Sequence, residues 1–220
     1  MLAYSSAEKG VFIPRQRAPQ APRNLKRTLD LLLAPFLALL IRLRMKPDLL
    51  TLMGALLSLP VCFTLMKGQW VAAALWLLAG SFFDVLDGAL ARALKSGRVF
   101  GAFLDSTMDR VSEAVVFLGF VLYYGGQMDT WGMSLAFVAG FLSQMISYTR
   151  ARAEGLGLRN EGGWMTRPAR ILLLGAGLLM EQPTGTLWIL AFLSLVTVFQ
   201  RIYHVFEQSK PDRKARRKKA

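Results

Sequence analysis

DVLDGALARALKSGRVFGAFLDSTMD, residues 84–109, decides how this chain is read. It carries four aspartates, Asp84, Asp87, Asp105 and Asp109, with long apolar runs on either side. Ionisable side chains are costly inside a bilayer and rare there unless they do something. Asp84, Asp87, Gly88, Ala91 and Arg92 are spaced i, i+3, i+4, i+7 and i+8, which puts all five on one face of a helix. Gly101, Asp105 and Asp109 follow at i, i+4 and i+8, again one face, and Ser96 and Gly97 supply a break between the two segments. Two antiparallel helices joined there set the acid faces opposite each other, within about one to two helical turns of the water.

Carboxylates converging in a low-dielectric cleft repel one another, and some protonate unless cations are bound. The donors are all oxygen, with no histidine or thiolate among them, which suits hard divalent ions such as Mg²⁺, Mn²⁺ or Ca²⁺. Gly88, Ala91 and Gly101 carry almost no side chain on the same face, so they allow close helix approach or admit a bulky ligand. Arg92 adds a fork that fits phosphate oxygens. Cation-bridged carboxylates beside an arginine make a diphosphate site.

Working outward, the 220 residues are 54% hydrophobic and 19% charged, a mixture that fits blocks of membrane span between charged loops. The net charge is +13. The basic residues sit beside the apolar runs, so an anionic lipid surface is expected and no nucleic-acid partner. Cys62 is the one cysteine, which excludes disulfides and cysteine-built metal sites within the chain, and His204 is the one histidine. The first 27 residues are polar, basic and proline-bearing, unlike a cleavable signal sequence.

Six segments approach the roughly 20 apolar residues needed to cross a bilayer: 49–66, 69–92, 101–124, 131–149, 168–181 and 184–203. An earlier apolar run at 29–43, interrupted by Pro35 and flanked by Arg27, Arg42, Arg44 and Lys46, reads as an amphipathic helix lying in the interface. With six crossings, only Lys67 of the 27 Lys and Arg residues falls on one side, so both termini are expected to be cytoplasmic. The expected fold is therefore an all-α integral membrane protein of six transmembrane helices preceded by an interfacial helix. Its parts are a cytoplasmic arm and interfacial helix at 1–46, the six-helix domain at 47–205, and a basic cytoplasmic tail at 206–220, of which Ser209 to Ala220 is expected to be solvated, disordered and touching anionic headgroups.

The pattern Asp84-x2-Asp87-Gly88-x2-Ala91-Arg92-x8-Gly101-x3-Asp105-x3-Asp109 matches, at each of its eight fixed positions, the signature of the CDP-alcohol phosphotransferases. The six spans and the preceding helix also resemble that family. The resemblance implies transfer of a phosphatidyl group from a CDP-linked lipid to an alcohol, with CMP leaving. It places two divalent ions, Mg²⁺ or Mn²⁺, on Asp84, Asp87, Asp105 and Asp109, and makes Asp109 the base that deprotonates the acceptor hydroxyl. Gly88, Ala91, Arg92, Arg98 and Gly101 would face the CDP-lipid. The segment KPDLLTLMG, residues 46–54, resembles the family's opening of the first span, Pro-Asn-x-x-Thr-x-x-Gly, so Pro47 and Thr51 join the CDP site. Asp48 joins it too, in place of the family's asparagine.

A second constellation, SYTRARAEGLGLRNEGGWMTRPAR at 147–170, resembles the inositol-phosphate branch, the prokaryotic phosphatidylinositol-phosphate synthases. That branch implies inositol 1-phosphate as acceptor and CDP-diacylglycerol as donor. Ser147, Arg150, Arg167 or Arg170, and Arg201 would hold the acceptor phosphate. Positive-inside anchoring accounts for some of the same charges. Glycerol 3-phosphate as acceptor and an ether-lipid donor such as CDP-archaeol are the nearest alternatives. A homodimer in a prokaryotic plasma membrane is the expected setting. Two other classes are disfavoured. A membrane prenyltransferase needs its aspartate clusters on widely separated helices, and a divalent-cation transporter needs acids matched across the other half of the bilayer.

Overall fold

The computed structural model describes residues 23–94, 99–160 and 162–210, with the backbone alone for 23–32. The described residues form helices α1 (Arg23–Arg42), α2 (Pro47–Leu56), α3 (Ser58–Met66), α4 (Trp70–Ala93), α5 (Val99–Gly126), α6 (Thr130–Gly155), α7 (Arg167–Leu179) and α8 (Pro183–Ser209), and no strand. The run expected at 29–43 lies within the longer α1. That helix ends as Arg44 takes a left-handed conformation, with φ 53°, and the Met45 amide returns to the Leu40 carbonyl at 3.0 Å. Pro47 then opens α2, where its missing N–H costs nothing. The expected first span is broken at Leu57: Pro60 cannot donate to the Leu56 carbonyl, so α2 and α3 meet at a kink.

Side-chain size is distributed inside out. Ala73, Ala74, Ala136 and Ala139 are wholly buried, whereas Phe137 is 66% and Phe192 65% exposed. Small residues within and large apolar ones outside are what lipid-facing helices require, because packing rather than water exclusion holds them together. The main core draws on α3 through α8, including Leu65, Phe117, Phe120, Leu178 and Leu190. At Gly119 a Cβ would come within 2.9 Å of the Cys62 Cα and 3.0 Å of its carbonyl, so α5 and α3 touch nearly backbone to backbone. A second, smaller core joins Leu33 of α1 and Leu50 of α2 to Leu86, Ala89 and Leu90 of α4.

Among the described residues, three stretches are long and apolar enough to cross a membrane: Pro47–Met66 (α2 with α3), α4 and α8. Helix α5 has ample length at 28 residues, but Asp105, Asp109, Arg110 and Glu113 lie along it. Helix α6 is diluted by Thr130, Gly132, Ser134, Ser143 and Gln144. Helix α7, at 13 residues, spans ~20 Å against a hydrocarbon core of ~30 Å. Helices α6 and α8 run furthest past the C-terminal ends read from sequence, to Gly155 and Ser209. The Lys95–Arg98 connection and the tail from 211 onward lie outside the described residues.

Candidate active site

Helix α2 packs on both α4 and α5, while α4 and α5 make no broad contact with each other. The two acid-bearing helices therefore splay and leave a cleft between them. Its floor is a cavity of about 450 Å³ lined by Pro47, Asp48 and Thr51 of α2, Asp87, Gly88 and Ala91 of α4, and Gly101 and Asp105 of α5. Gly88, Ala91 and Gly101 line this cavity, so on these faces the small residues leave space rather than close helix contact. A Cβ at Gly101 would stand 3.2 Å from Asp48 Oδ1, and one at Gly88 would stand 3.4 Å from an Arg92 nitrogen, so Arg92 reaches back over Gly88.

Asp87 is 5% exposed, and Thr51 donates its hydroxyl to Asp87 Oδ2 at 2.5 Å. Thr51 thus orients an acid, a role beyond the nucleotide contact expected for it. Asp84 stands over Gly54 of α2, where a Cβ would lie 3.0 Å from Asp84 Oδ1. The opposition of the two acid faces is direct: one Arg167 nitrogen, Nη2, lies 2.9 Å from Asp84 on α4 and 2.8 Å from Asp109 on α5. Arg110 approaches Asp109 at 3.9 Å.

Among the described residues, no three of these acids stand converged on a common point as a ready metal site. The Arg167 guanidinium lies between Asp84 and Asp109 instead. The donor set nonetheless fits a hard divalent cation: four carboxylates from two facing helices, two of them, Asp87 and Asp105, bordering the cavity.

The residues expected to hold the acceptor phosphate separate into distinct situations. Arg167 faces the acids and is partly exposed. Arg170 is 1% exposed and fully engaged, with Nε and Nη2 on Glu113 at 2.8 and 3.1 Å and Nη1 on the Met165 carbonyl at 3.2 Å. Arg201, 3% exposed, donates Nε to the Gly162 carbonyl at 3.0 Å and Nη1 to the Ile146 carbonyl, tying the loop before α7 to α6 and α8. Ser147 is buried beside that bond. Arg150 pairs with Glu154 at 2.8 Å on the exposed face of α6. Arg110, Arg150 and Arg170 all lie within electrostatic range of Arg201, so the cations gather around one region beside the acids. Arg98 lies outside the described residues.

Sequence reasoning passed over Ile41, Arg44, Met45 and Lys46, which close the cavity from the α1–α2 connection, and over Glu113. The first group stands directly before the Pro47 motif. Glu113 follows Asp109 by one further i+4 step along the acid stripe, and that spacing was the available signal.

A cleft of opposed aspartates with a nucleotide-sized cavity under a diphosphate signature defines a class: the chain belongs to the CDP-alcohol phosphatidyltransferase family, whose pattern matches residues 44–205. It is similar to the phosphatidylinositol phosphate synthase of Mycobacteroides abscessus, at 40% identity over 78% of this chain and 82% of that one. Two crystal structures of the Mycobacterium tuberculosis phosphatidylinositol phosphate synthase share its fold. The one with CDP-DAG bound superposes with a TM-score of 0.74 at 32% identity, covering 81% of this chain and 94% of that one. The complex with manganese and citrate gives 0.74 at 33% identity, covering 81% and 90%.

Proposed function

We propose that the protein is a membrane phosphatidylinositol phosphate synthase, transferring the phosphatidyl group of CDP-diacylglycerol to inositol 1-phosphate with release of CMP. The observation that carries this reading is the pairing of Asp84 and Asp109 across the cleft by Arg167, beside a cavity bordered by Asp87 and Asp105. The likeness to the mycobacterial synthases, one of them crystallised with CDP-DAG, supports both donor and acceptor.

In this reading the cytidine end of the donor enters the cavity along Pro47, Asp48, Thr51, Gly88, Ala91 and Gly101, with Arg92 and Arg98 on its phosphates. Asp84, Asp87, Asp105 and Asp109 would hold Mg²⁺ or Mn²⁺, as two ions, and bound cations there neutralise the diphosphate and improve CMP as a leaving group. Asp109 takes the proton of the acceptor hydroxyl. The acceptor oxygen attacks the lipid-side phosphorus, and the bond from that phosphorus to the CMP oxygen breaks. Thr51 keeps Asp87 oriented, and Arg167 passes from the carboxylates to the acceptor phosphate as that dianion arrives, with Ser147, Arg150 and Arg201 completing the basic wall. Lipid tails stay in the bilayer throughout, which is why the site lies just beneath the headgroups. The arrangement is that of six transmembrane helices with α1 as an interfacial helix, both termini cytoplasmic, in the plasma membrane of a prokaryotic cell, as a homodimer.

The test is CMP release by the purified enzyme from CDP-diacylglycerol with Mg²⁺ or Mn²⁺, against a panel of alcohols and alcohol phosphates. Release that depends on inositol 1-phosphate is the expected result. Equal or faster release with glycerol 3-phosphate assigns the protein to the glycerophosphate branch.

A further inference from the structure

One carboxylate on the acid stripe has no part in the reaction as described. Glu113 follows Asp109 by four residues and Asp105 by eight, so it continues their face of α5 one turn deeper. It meets Arg170 fork to fork at 2.8 and 3.1 Å, the strongest geometry for a guanidinium and a carboxylate. The third guanidinium nitrogen, Nη1, donates to the Met165 carbonyl at 3.2 Å, and the Met165 amide donates to Thr197 of α8 at 3.2 Å. The chain just before α7 is thereby fixed from both sides. One turn earlier on the same face of α7 stands Arg167, spanning Asp84 and Asp109. Two arginine–carboxylate couples, Arg167 with Asp84 and Arg170 with Glu113, thus stand along the wall of one narrow cavity.

A buried guanidinium seeks the nearest carboxylate, because an uncompensated charge away from water is costly. Without Glu113, the next carboxylates are Asp109, one turn back on the stripe, and Asp84 of α4, which lines the same cavity wall, and Arg170 would compete for them with Arg167. We infer that Glu113 is a positioning residue for the acceptor half of the reaction: by holding Arg170 and the entry into α7, it leaves Arg167 alone to face Asp84 and Asp109. This rests on the proposed function, since it presumes an anionic acceptor bound through Arg167.

Steady-state kinetics on Glu113→Gln, Glu113→Asp and the double variant Glu113→Gln/Arg170→Met test it, with helicity and melting temperature in detergent measured in parallel. Glu113→Gln should raise the KM for inositol 1-phosphate by about tenfold or more, while the KM for CDP-diacylglycerol stays within about twofold. Glu113→Asp, which keeps the charge, should recover most of the loss. Removing both buried charges together is commonly tolerated, so the double variant remains folded even if the single one does not, and with no second guanidinium left to compete with Arg167 its acceptor KM should return towards the wild-type value. Acceptor and donor KM moving alike, neither moving, or a double variant that either fails to fold or keeps the acceptor KM of Glu113→Gln would each reduce the pair to scaffolding and overturn the inference. Wild-type enzyme releasing no CMP with any acceptor sinks the proposed function itself, a result distinct from all of these.

Discussion

Asp109 and Arg167 carry opposite halves of the proposed chemistry, and their variants should fail in different ways. Asp109→Asn keeps the shape and hydrogen-bonding size of the side chain but cannot accept the hydroxyl proton. Turnover should fall by about 10²–10⁴-fold while CDP-diacylglycerol still binds, as read by stopped assays and ligand-induced thermal stabilisation. Wild-type rates in that variant would remove Asp109 as the base. Arg167→Ala should raise the acceptor KM well above any change in the donor KM. Thr51→Val removes the hydroxyl that donates to Asp87 at 2.5 Å and leaves a 5%-exposed carboxylate short of a partner. A loss of about 1–3 kcal/mol in stability is expected from an unsatisfied buried group, measurable as a lower melting temperature together with weaker Mn²⁺ binding.

Helices α4 and α5 are where the sequence was most legible. Aspartates at i, i+3 and at i, i+4 must share a face in any helix, and two such faces on consecutive apolar helices have little choice but to confront each other. The splaying of α4 from α5 was not legible, because it depends on α2 wedging between them, and α2 carries few charges to mark its position. The duties of the arginines were equally hidden. Arg167, Arg170 and Arg201 look alike in a string, yet burial assigns Arg170 to Glu113 and Arg201 to two backbone carbonyls. The kink at Leu57 could be read only from Pro60, a residue that many membrane helices absorb without breaking. At this scale two glycine substitutions separate site from scaffold. Gly101→Leu pushes into the cavity beside Asp48 and should abolish donor binding in a protein that melts near the wild-type temperature. Gly119→Leu meets the α3 backbone, which cannot yield as a side-chain tip can, and should destabilise by about 1–3 kcal/mol or block folding.

For the whole molecule, exposed phenylalanines around buried alanines describe a protein solvated by lipid. In the proposed six-span arrangement Lys67, Met128 and Glu181, the turn residues after α3, α5 and α7, would lie on the face opposite the acids. Cysteines introduced at Met128 and Glu181, in a background lacking Cys62, should be labelled by an impermeant maleimide from outside intact cells. Labelling only after permeabilisation would reverse the orientation. The account depends most on the aspartates of α4 and α5 jointly holding divalent metal for the donor's diphosphate. Mn²⁺ titrated by calorimetry into chelator-stripped enzyme with CDP-diacylglycerol present addresses this directly. The prediction is saturable binding in the wild type that is lost in Asp87→Asn and in Asp105→Asn, one acid from each helix. Binding unchanged in both variants, or full CMP release from enzyme kept metal-free, would contradict it.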